Sequence, residues 1–333
     1  MRGCPAETQR DPRVVQYPAA KRVVAIGDLH GDMEKARRAF RLGGLIDAGD
    51  RWVGGETVAV QVGDQLDRGP DEVPLLYFLE RLQREAQQAG GRLHVLNGNH
   101  ETMNAAGDTR YAHRGASVDF AHWHEWMRLG DRLIARCEAY AGAGRGEPLS
   151  VGEGGAGNAG AQQGHEQDTR GAALAAGGPL SRRFFSTQPM VLQLGETVFA
   201  HGGVHPEHVR FGLARLNGEV AQWLRRGERH QAATKHVRGR DTVVWSRQFS
   251  HEDGARCDCD MLKESLQMLD AKRMVVGHTI QSSGINQACE GQVLRVDVGM
   301  SAGCGGAEPQ VLEIVGDKNV RVLRERKGSA MGA

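Results

Sequence analysis

No apolar run in the 333-residue chain approaches the ~18–20 residues that a helix needs to cross a bilayer. An excess of either charge is missing too: 42 Lys and Arg face 41 Asp and Glu, a formal net charge of +1. Nothing global pulls the chain toward a membrane or a nucleic acid, and neither is expected as a partner. Aromatic residues are few, at 5%, in a composition otherwise ordinary for a soluble protein. Residues 1–20 have no apolar core and include Glu7 and Asp11. They look like neither a secretory signal nor an amphipathic, Arg- and Ser-rich presequence, so a disordered tail is expected there, with no cleavable presequence. No Ser or Cys lies in an activated motif such as G-x-S-x-G, so no covalent nucleophile is evident.

What the chain does have is a rhythm. Five short, mostly Val-rich runs, at residues 23–26, 58–62, 93–96, 198–200 and 274–276, have the length and content of buried strands. Each leads directly into a cluster of Gly with Asp, Asn or His. Helical patterns at 33–42 and 73–89 separate the first three, with Leu75, Leu76, Leu79 and Leu82 on one face of the second. Strand, turn, helix, strand is the order of an α/β sheet, where ligands collect at the carboxyl ends of the strands.

Residues 117–137 read as another helix, with Phe120, Trp123, Trp126 and Met127 spaced for one core-facing side. Over half of residues 141–178 are Gly or Ala, and large apolar side chains are nearly absent. Such a segment cannot bury enough surface to offset chain entropy, so a disordered insertion is expected. Residues 219–226 and 260–269 read as helices, and 293–298 and 311–315 as strands of a second sheet. A single catalytic domain is expected over 21–327, followed by a short tail at 328–333.

The clusters carry the chemistry. They are Gly27-Asp28-Leu29-His30-Gly31-Asp32, Gly63-Asp64-Gln65-Leu66-Asp67-Arg68-Gly69, Asn97-Gly98-Asn99-His100-Glu101, His201-Gly202-Gly203 and Gly277-His278-Thr279. One such cluster is weak, because an Asp before a helix is usually an N-cap. Five, each at a strand end, are not. Asp28, His30 and Asp64 supply two carboxylates and an imidazole; Asn99, His201 and His278 supply an amide oxygen and two imidazoles. With Asp64 as a bridge these make two adjacent sites of hard and borderline ligands, suited to Mn, Fe or Zn. Two divalent ions so placed can clamp a phosphate and hold a hydroxide between them. Hydrolysis also needs positive charge on the phosphate oxygens, for which Arg68 and Arg247 are the candidates. It needs a proton for the leaving oxygen, for which His100 is the candidate, with Asp67 as the carboxylate that fixes its imidazole.

These strings resemble the phosphoprotein phosphatase superfamily, whose motifs read GD-x-HG, GD-x-x-DRG, GNHE, HGG and GH, over roughly residues 23–298. Within it the chain resembles the Shewanella-like protein phosphatases, especially the plant and algal subgroup outside the chloroplast. The likeness rests on Val62 to Gly69, Trp245-Ser246-Arg247, Cys257-Asp258-Cys259, Gly277-His278-Thr279-Ile280-Gln281 and Asp297-Val298-Gly299-Met300-Ser301. The resemblance implies an α/β, calcineurin-like metallophosphoesterase fold: a central β-sandwich of two mixed sheets flanked by helices, with the dinuclear site at its edge. It implies Asp28, His30 and bridging Asp64 on one metal, and Asp64, Asn99, His201 and His278 on the other. His100 and Asp67 would be the acid pair, and Arg68, Arg247 and Asn99 would meet the substrate phosphate. The implied enzyme is a metal-dependent phosphoprotein phosphatase, in which a metal-bridging hydroxide attacks a phosphate monoester on a protein and His100 serves as general acid.

Three departures bear on this. The second His of the GH-x-H found in calcineurin-like phosphodiesterases is Ile280 here, which favours the phosphoprotein branch. The SAPNY string of the major Ser/Thr phosphatases has no counterpart near Ser301. Asn97 stands where those enzymes carry Arg, removing a charge expected near the cleft. The core motifs do not separate a protein phosphatase from a small-molecule phosphohydrolase, such as a dinucleoside polyphosphate hydrolase. A non-catalytic scaffold would have lost ligands, and none is lost.

Six cysteines remain: Cys4, Cys137, Cys257, Cys259, Cys289 and Cys304. Reduced thiols, a structural zinc and disulfides all stay open, although the usual paired zinc spacing is absent. Plant relatives of the intermembrane-space subgroup have Cys at matching places. That likeness implies bridges from Cys257 or Cys259 to Cys289 or Cys304, or between the last two, and an oxidoreductase partner to make them. The expected location is the cytoplasm or the mitochondrial intermembrane space.

Overall fold

The computed structural model describes residues 11–142 and 169–325. The Val-rich runs become inner strands of two sheets. One sheet has the order β11 (Asn319–Arg324), β10 (Gln310–Val315), β2 (Arg22–Ile26), β3 (Val58–Gln61), β4 (Arg92–Val95). Here β2, β3 and β4 are parallel, with Val23 beside Val58 and Val58 beside Arg92. The other sheet has the order β1 (Gln16–Tyr17), β5 (Val191–Leu194), β6 (Thr197–Ala200), β7 (Arg273–Val276), β9 (Val293–Arg295), β8 (Asn286–Ala288). In it β6, β7 and β9 are parallel. Both sheets are mixed, and the fold is the α/β sandwich that the resemblance implies.

Alternation along each strand builds two layers of core. Leu192, Leu194, Phe199, Val275 and Leu294 join one buried cluster with Val24, Ile26, Val60 and Leu312 of the facing sheet. Their strand neighbours Val191, Val198, Met274 and Val293 join a second. That cluster is completed by Leu216, Val220 and Leu224 of α8 (Leu213–Arg226) and by Leu262 and Leu266 of α9 (Cys259–Met268). A strand covered on both faces reads as a continuous apolar run for this reason. On the outer side of the first sheet, α1 (Met33–Leu42) starts at Asp32, whose Oδ1 accepts the Lys35 N–H at 3.0 Å. In α2 (Glu72–Gln88), Leu75, Leu79 and Leu82 enter the sandwich core, whereas Leu76 turns to the second cluster. The short α3 (Asn99–Ala105) follows β4, and α6 (Pro179–Arg183) and α7 (Pro206–Phe211) flank the second sheet.

Four expectations need correction. Residues 11–20 are ordered, because β1 pairs with β5 and the Gln193 and Asn217 side of the second sheet binds the Val15 and Pro12 carbonyls. Strand β10 lies in the first sheet, antiparallel to β2, so 293–298 and 311–315 do not share a sheet. The aromatic face of α4 (Ala116–Gly142) is only half used: Phe120 is fully buried, but Trp126 is 72% exposed and Met127 is exposed too. Finally, the Gly- and Ala-rich segment does not extend to 178 as an insertion. Residues 141–142 close α4, 143–168 lie outside the described residues, and 169–174 form α5.

Small side chains are what that last piece needs. Ala173 and Leu174 are buried, and the Ala176 and Gly177 amides donate to Ala105 O and Leu224 O, both at 2.9 Å. A Cβ on Gly178 would stand 2.5 Å from Ala172 O. The tail at 328–333 lies outside the described residues.

Candidate active site

The parallel register brings the carboxyl ends of β2, β3, β6 and β7 to one rim. Gln61, at the end of β3, ties it together: its Nε2 donates to Gly27 O at 3.2 Å and Gly63 O at 2.6 Å. Gly27 has no room for a Cβ, which would meet Val296 O at 2.3 Å. The turns after the strands are sharp. His30, Asp64, Asp67, Arg68 and His278 all have left-handed φ, between 46° and 68°. Such a conformation costs a non-glycine residue about 1–2 kcal/mol, and it persists only where surrounding bonds over-determine it. Those bonds are present. The Leu29 and His30 amides donate to Asp64 O at 3.0 and 2.9 Å. Glu101 collects four amides, from Asp64, Gln65, Leu66 and Gly98, at 2.7–3.1 Å. Burial and nearby Asp64 push the Glu101 carboxyl up to about 7.

Asp28, His30, Asp64, Asn99, His201 and His278 converge here, and all but His278 are buried. Asp64 Oδ2 stands 3.2 Å from His201 Nε2 and 3.7 Å from His30 Nε2. Asn99 Oδ1 stands 2.8 Å from His201 Nε2 and 2.9 Å from His278 Nδ1. The Asp28 carboxylate accepts the His278 amide at 3.2 Å.

The donor chemistry fits cations. His30 Nδ1 donates to Leu66 O at 2.9 Å and His201 Nδ1 to Val62 O at 3.0 Å. Each carbonyl fixes the tautomer that leaves a bare Nε2 facing Asp64. Burial holds His30 down to about 4, against the pull of Asp64. Lone pairs of imidazole, carboxylate and amide thus meet head-on, an arrangement that divalent ions resolve. Asp28 adds to the demand: burial, then Asp297 and Asp64, push its carboxyl well above the usual range. For Asp64, burial opposes the charge, but His201, His100 and His30 outweigh it and hold the carboxyl well below that range. A third group, His205 with Glu207 and His208, has its nitrogens in use: His205 Nε2 lies 2.6 Å from Ser246 Oγ, and His208 Nδ1 accepts the His205 amide.

His100 sits beside this cluster with its Nδ1 2.6 Å from Asp67 Oδ2 and its Nε2 3.8 Å from Asp64 Oδ2. Burial disfavours its charge, but Asp64 and Asp67 outweigh burial and raise it to about 9. Asp67 is itself held. Asn104 Nδ2 donates to its Oδ2 at 2.9 Å, and Arg170 Nη2 to its Oδ1 at 2.8 Å. Arg170 also forks onto Glu72, at 2.6 and 2.8 Å, and reaches Asn104 Oδ1 at 2.6 Å. Glu72 Oε1 in turn accepts the Asp67 amide at 2.6 Å.

Arg68 is exposed, its Cζ 4.2 Å above the Tyr111 ring. Arg247 is exposed at the other edge, its Nε donating to His278 Nε2 at 3.3 Å. Asn97 has no place on the cleft: its buried Nδ2 donates to Phe185 O and Gln188 O, so the missing Arg charge would not have faced substrate from this rotamer.

Among the quartet of cysteines, Cys259 is bonded to Cys289, and Cys257 and Cys304 are free. Burial raises the Cys257 thiol, and burial with Asp28 pushes Cys304 up to about 12.

Sequence reasoning passed over Arg170, Glu72, Asn104, Tyr111, Glu101 and Asp297. Glu101 and Asp297 lie inside quoted strings, and that was the available signal. Arg170 and Tyr111 have none.

The chain belongs to the calcineurin-like phosphoesterase family, whose model matches residues 21–282. Within it, the chain falls with the Shewanella-like protein phosphatases. It is 43% identical over 324 residues to Shewanella-like protein phosphatase 2 of Arabidopsis thaliana, covering 95% of this chain and 81% of that one. It is 27% identical to Shewanella-like protein phosphatase 1 of Plasmodium berghei, covering 92% and 75%. The crystal structure of a cold-active protein-tyrosine phosphatase of a psychrophile Shewanella species shares the fold, with a TM-score of 0.64 at 21% identity over 97% of this chain and 87% of that one.

Proposed function

We propose that this chain is a dinuclear-metal phosphoprotein phosphatase that hydrolyses phosphate monoesters on proteins. The observation that carries the reading is the six-donor set shared through Asp64, with the His100–Asp67 pair against it. Asp28, His30 and Asp64 would hold one ion, and Asp64, Asn99, His201 and His278 the other; Mn, Fe or Zn suits these donors. When bound, such a pair neutralises phosphate charge and supplies a water-derived nucleophile at neutral pH.

The chain's own groups do the rest. Arg68 and Arg247, on opposite edges, grip the phosphate oxygens in a planar fork. Asn99 aims its amide at the same place. His100 keeps its Nδ1 proton on Asp67 and gives the Nε2 proton to the departing hydroxyl of the substrate side chain. The relatives named as protein phosphatases support a protein substrate. The Cys259–Cys289 bond suits an oxidising compartment, such as the mitochondrial intermembrane space, with a disulfide-forming oxidoreductase as partner.

Purified enzyme loaded with Mn, assayed on a phosphopeptide panel and on dinucleoside tetraphosphate side by side, tests this. Phosphopeptides should be turned over and the dinucleotide left intact. The reverse preference would make the chain a small-molecule phosphohydrolase.

A further inference from the structure

Beyond Arg247 the surface opens into a cleft of about 790 Å³, lined by Arg240, Asp241, Trp245, Arg247, His251 and Arg256 among others. Its inner wall is part of the catalytic rim. The Trp245 ring lies edge-on, 5.7 Å from the His278 ring, and its Nε1–H donates to Val237 O at 3.0 Å, which fixes it. Arg247 reaches His278 from the same wall, so cleft and ligand cluster are continuous. The outer wall comes from two separate segments. Arg240 follows the turn after Val237, and Arg256 ends the short 3₁₀ turn Gly254–Arg256.

Charge is concentrated here without being paired. Three guanidinium groups face one lining carboxylate, Asp241, in a chain of net charge +1. Among the described residues, Arg240, Arg247 and Arg256 make no ion pair, whereas Arg22, Arg37, Arg41, Arg183 and Arg273 each have a carboxylate partner. The acids nearby in sequence are committed to their own backbone or to a neighbour. Asp253 Oδ1 accepts the Ala255 amide, Asp258 Oδ1 accepts the Met261 amide, and Glu252 binds Ser282. The wall is also braced. The Asp258 amide donates to Gln248 O at 2.8 Å, Arg295 donates to His251 O, and the Cys259–Cys289 bond lies three residues past Arg256. Cations grouped on a fixed wall raise the local anion concentration and bind an anion in charge-assisted hydrogen bonds.

We propose that this cleft is a second anion site that takes an acidic side chain, a carboxylate or a phosphate, flanking the scissile phosphate on the same peptide. The proposal rests on the phosphoprotein reading above. Arg240 and Arg256 hold the flanking anion while Arg247 serves the scissile phosphate, so the cleft sets which phosphorylated residues are taken.

The test uses the metal-loaded full chain and one phosphopeptide in three series. One has Ala at every flanking position. A second walks a single Glu through the positions on both sides. A third places a non-hydrolysable phosphonate residue at each of those positions in turn. Glu on one side should raise kcat/KM about 5-fold over Ala, mostly through KM, the scale of an exposed ion pair. Arg240→Ala and Arg256→Ala should each reduce that preference and together erase it. Hydrolysis of p-nitrophenyl phosphate should not change. High salt should shrink the preference, as the pairs are exposed. A gain from Glu and phosphonate alike makes a carboxylate sufficient; a gain from phosphonate alone makes the occupant a second phosphate. Equal kcat/KM across all three series, or a preference that survives the double variant, overturns the proposal. If p-nitrophenyl phosphate is hydrolysed but no phosphopeptide is, the phosphoprotein reading falls first.

Discussion

The two flanks of the catalytic rim are assembled in opposite ways. The ligand flank comes from contiguous strings, each the end of a strand and the turn after it: Asp28 and His30 after β2, Asp64 after β3, His201 after β6 and His278 after β7. The acid flank is a patchwork. His100 and Asn104 come from α3, Asp67 from the β3 turn, Glu72 from the start of α2, and Arg170 from α5, about a hundred residues further on. Metal ligands can be local, because a strand end presents neighbouring side chains to one point. Buried charges cannot. Asp67 and Glu72 are both fully buried, and a cation with a planar fork must reach both from outside their own turn.

Breaking the ligand flank should have the largest effect. Asp64→Ala should abolish turnover, with metal content by mass spectrometry falling below two ions per chain; chelation should do the same to the wild type, and Mn should reverse it. Retention of both ions and activity in Asp64→Ala would assign the bridge to another group. On the acid flank, His100→Asn should lower kcat by ~10²–10⁴-fold with both ions kept, as for loss of a general acid. Because the acid acts protonated, kcat should fall as pH rises through its pKa, and that basic limb should vanish in the variant.

Arg170→Met sharpens the comparison. It strips two buried carboxylates of their counter-charge, a loss of about 3–5 kcal/mol, so Tm should drop. It should also lower kcat by about 10–100-fold, as outer partners of a site often do. The fall should be larger for phosphoserine peptide than for p-nitrophenyl phosphate, whose leaving group needs no proton. Arg170→Lys should recover Tm more than kcat. Excising 145–176 should be as damaging as Arg170→Met, since it removes α5. The smallest effect belongs to Cys259→Ser: a loss of about 2–4 kcal/mol in Tm-based stability and weaker metal binding, with Cys137→Ser as an unchanged control.

The same contrast explains what the sequence discloses. Strand-end clusters are legible because period, glycine and ligand type coincide within a few residues. Helices 33–42 and 73–89 are legible because one face of each is apolar. Arg170 is illegible because it stands alone among Ala and Gly, whose smallness reads as disorder when it serves close helix approach at Ala105 and Leu224. Asn97 misleads because its side chain turns inward to two carbonyls, which no string can reveal. The sheet to which 311–315 belongs depends on a chain crossing that periodicity does not encode.

The left-handed turns at Asp64, Asp67, Arg68, His30 and His278 set a trap for protein engineers. Glycine at any of them would relax the backbone by about 1 kcal/mol. Asp64→Gly or Asp67→Gly would also take a carboxylate out of an apolar surround. A heat-tolerance screen blind to catalysis would therefore enrich inactive variants at these five codons, and a family of such sequences would drift into thermostable shells that still carry the fold. Thermal shift measured beside turnover for Arg68→Gly, the exposed member of the set, would show the trade in its plainest form: a higher Tm and a weaker hold on phosphate.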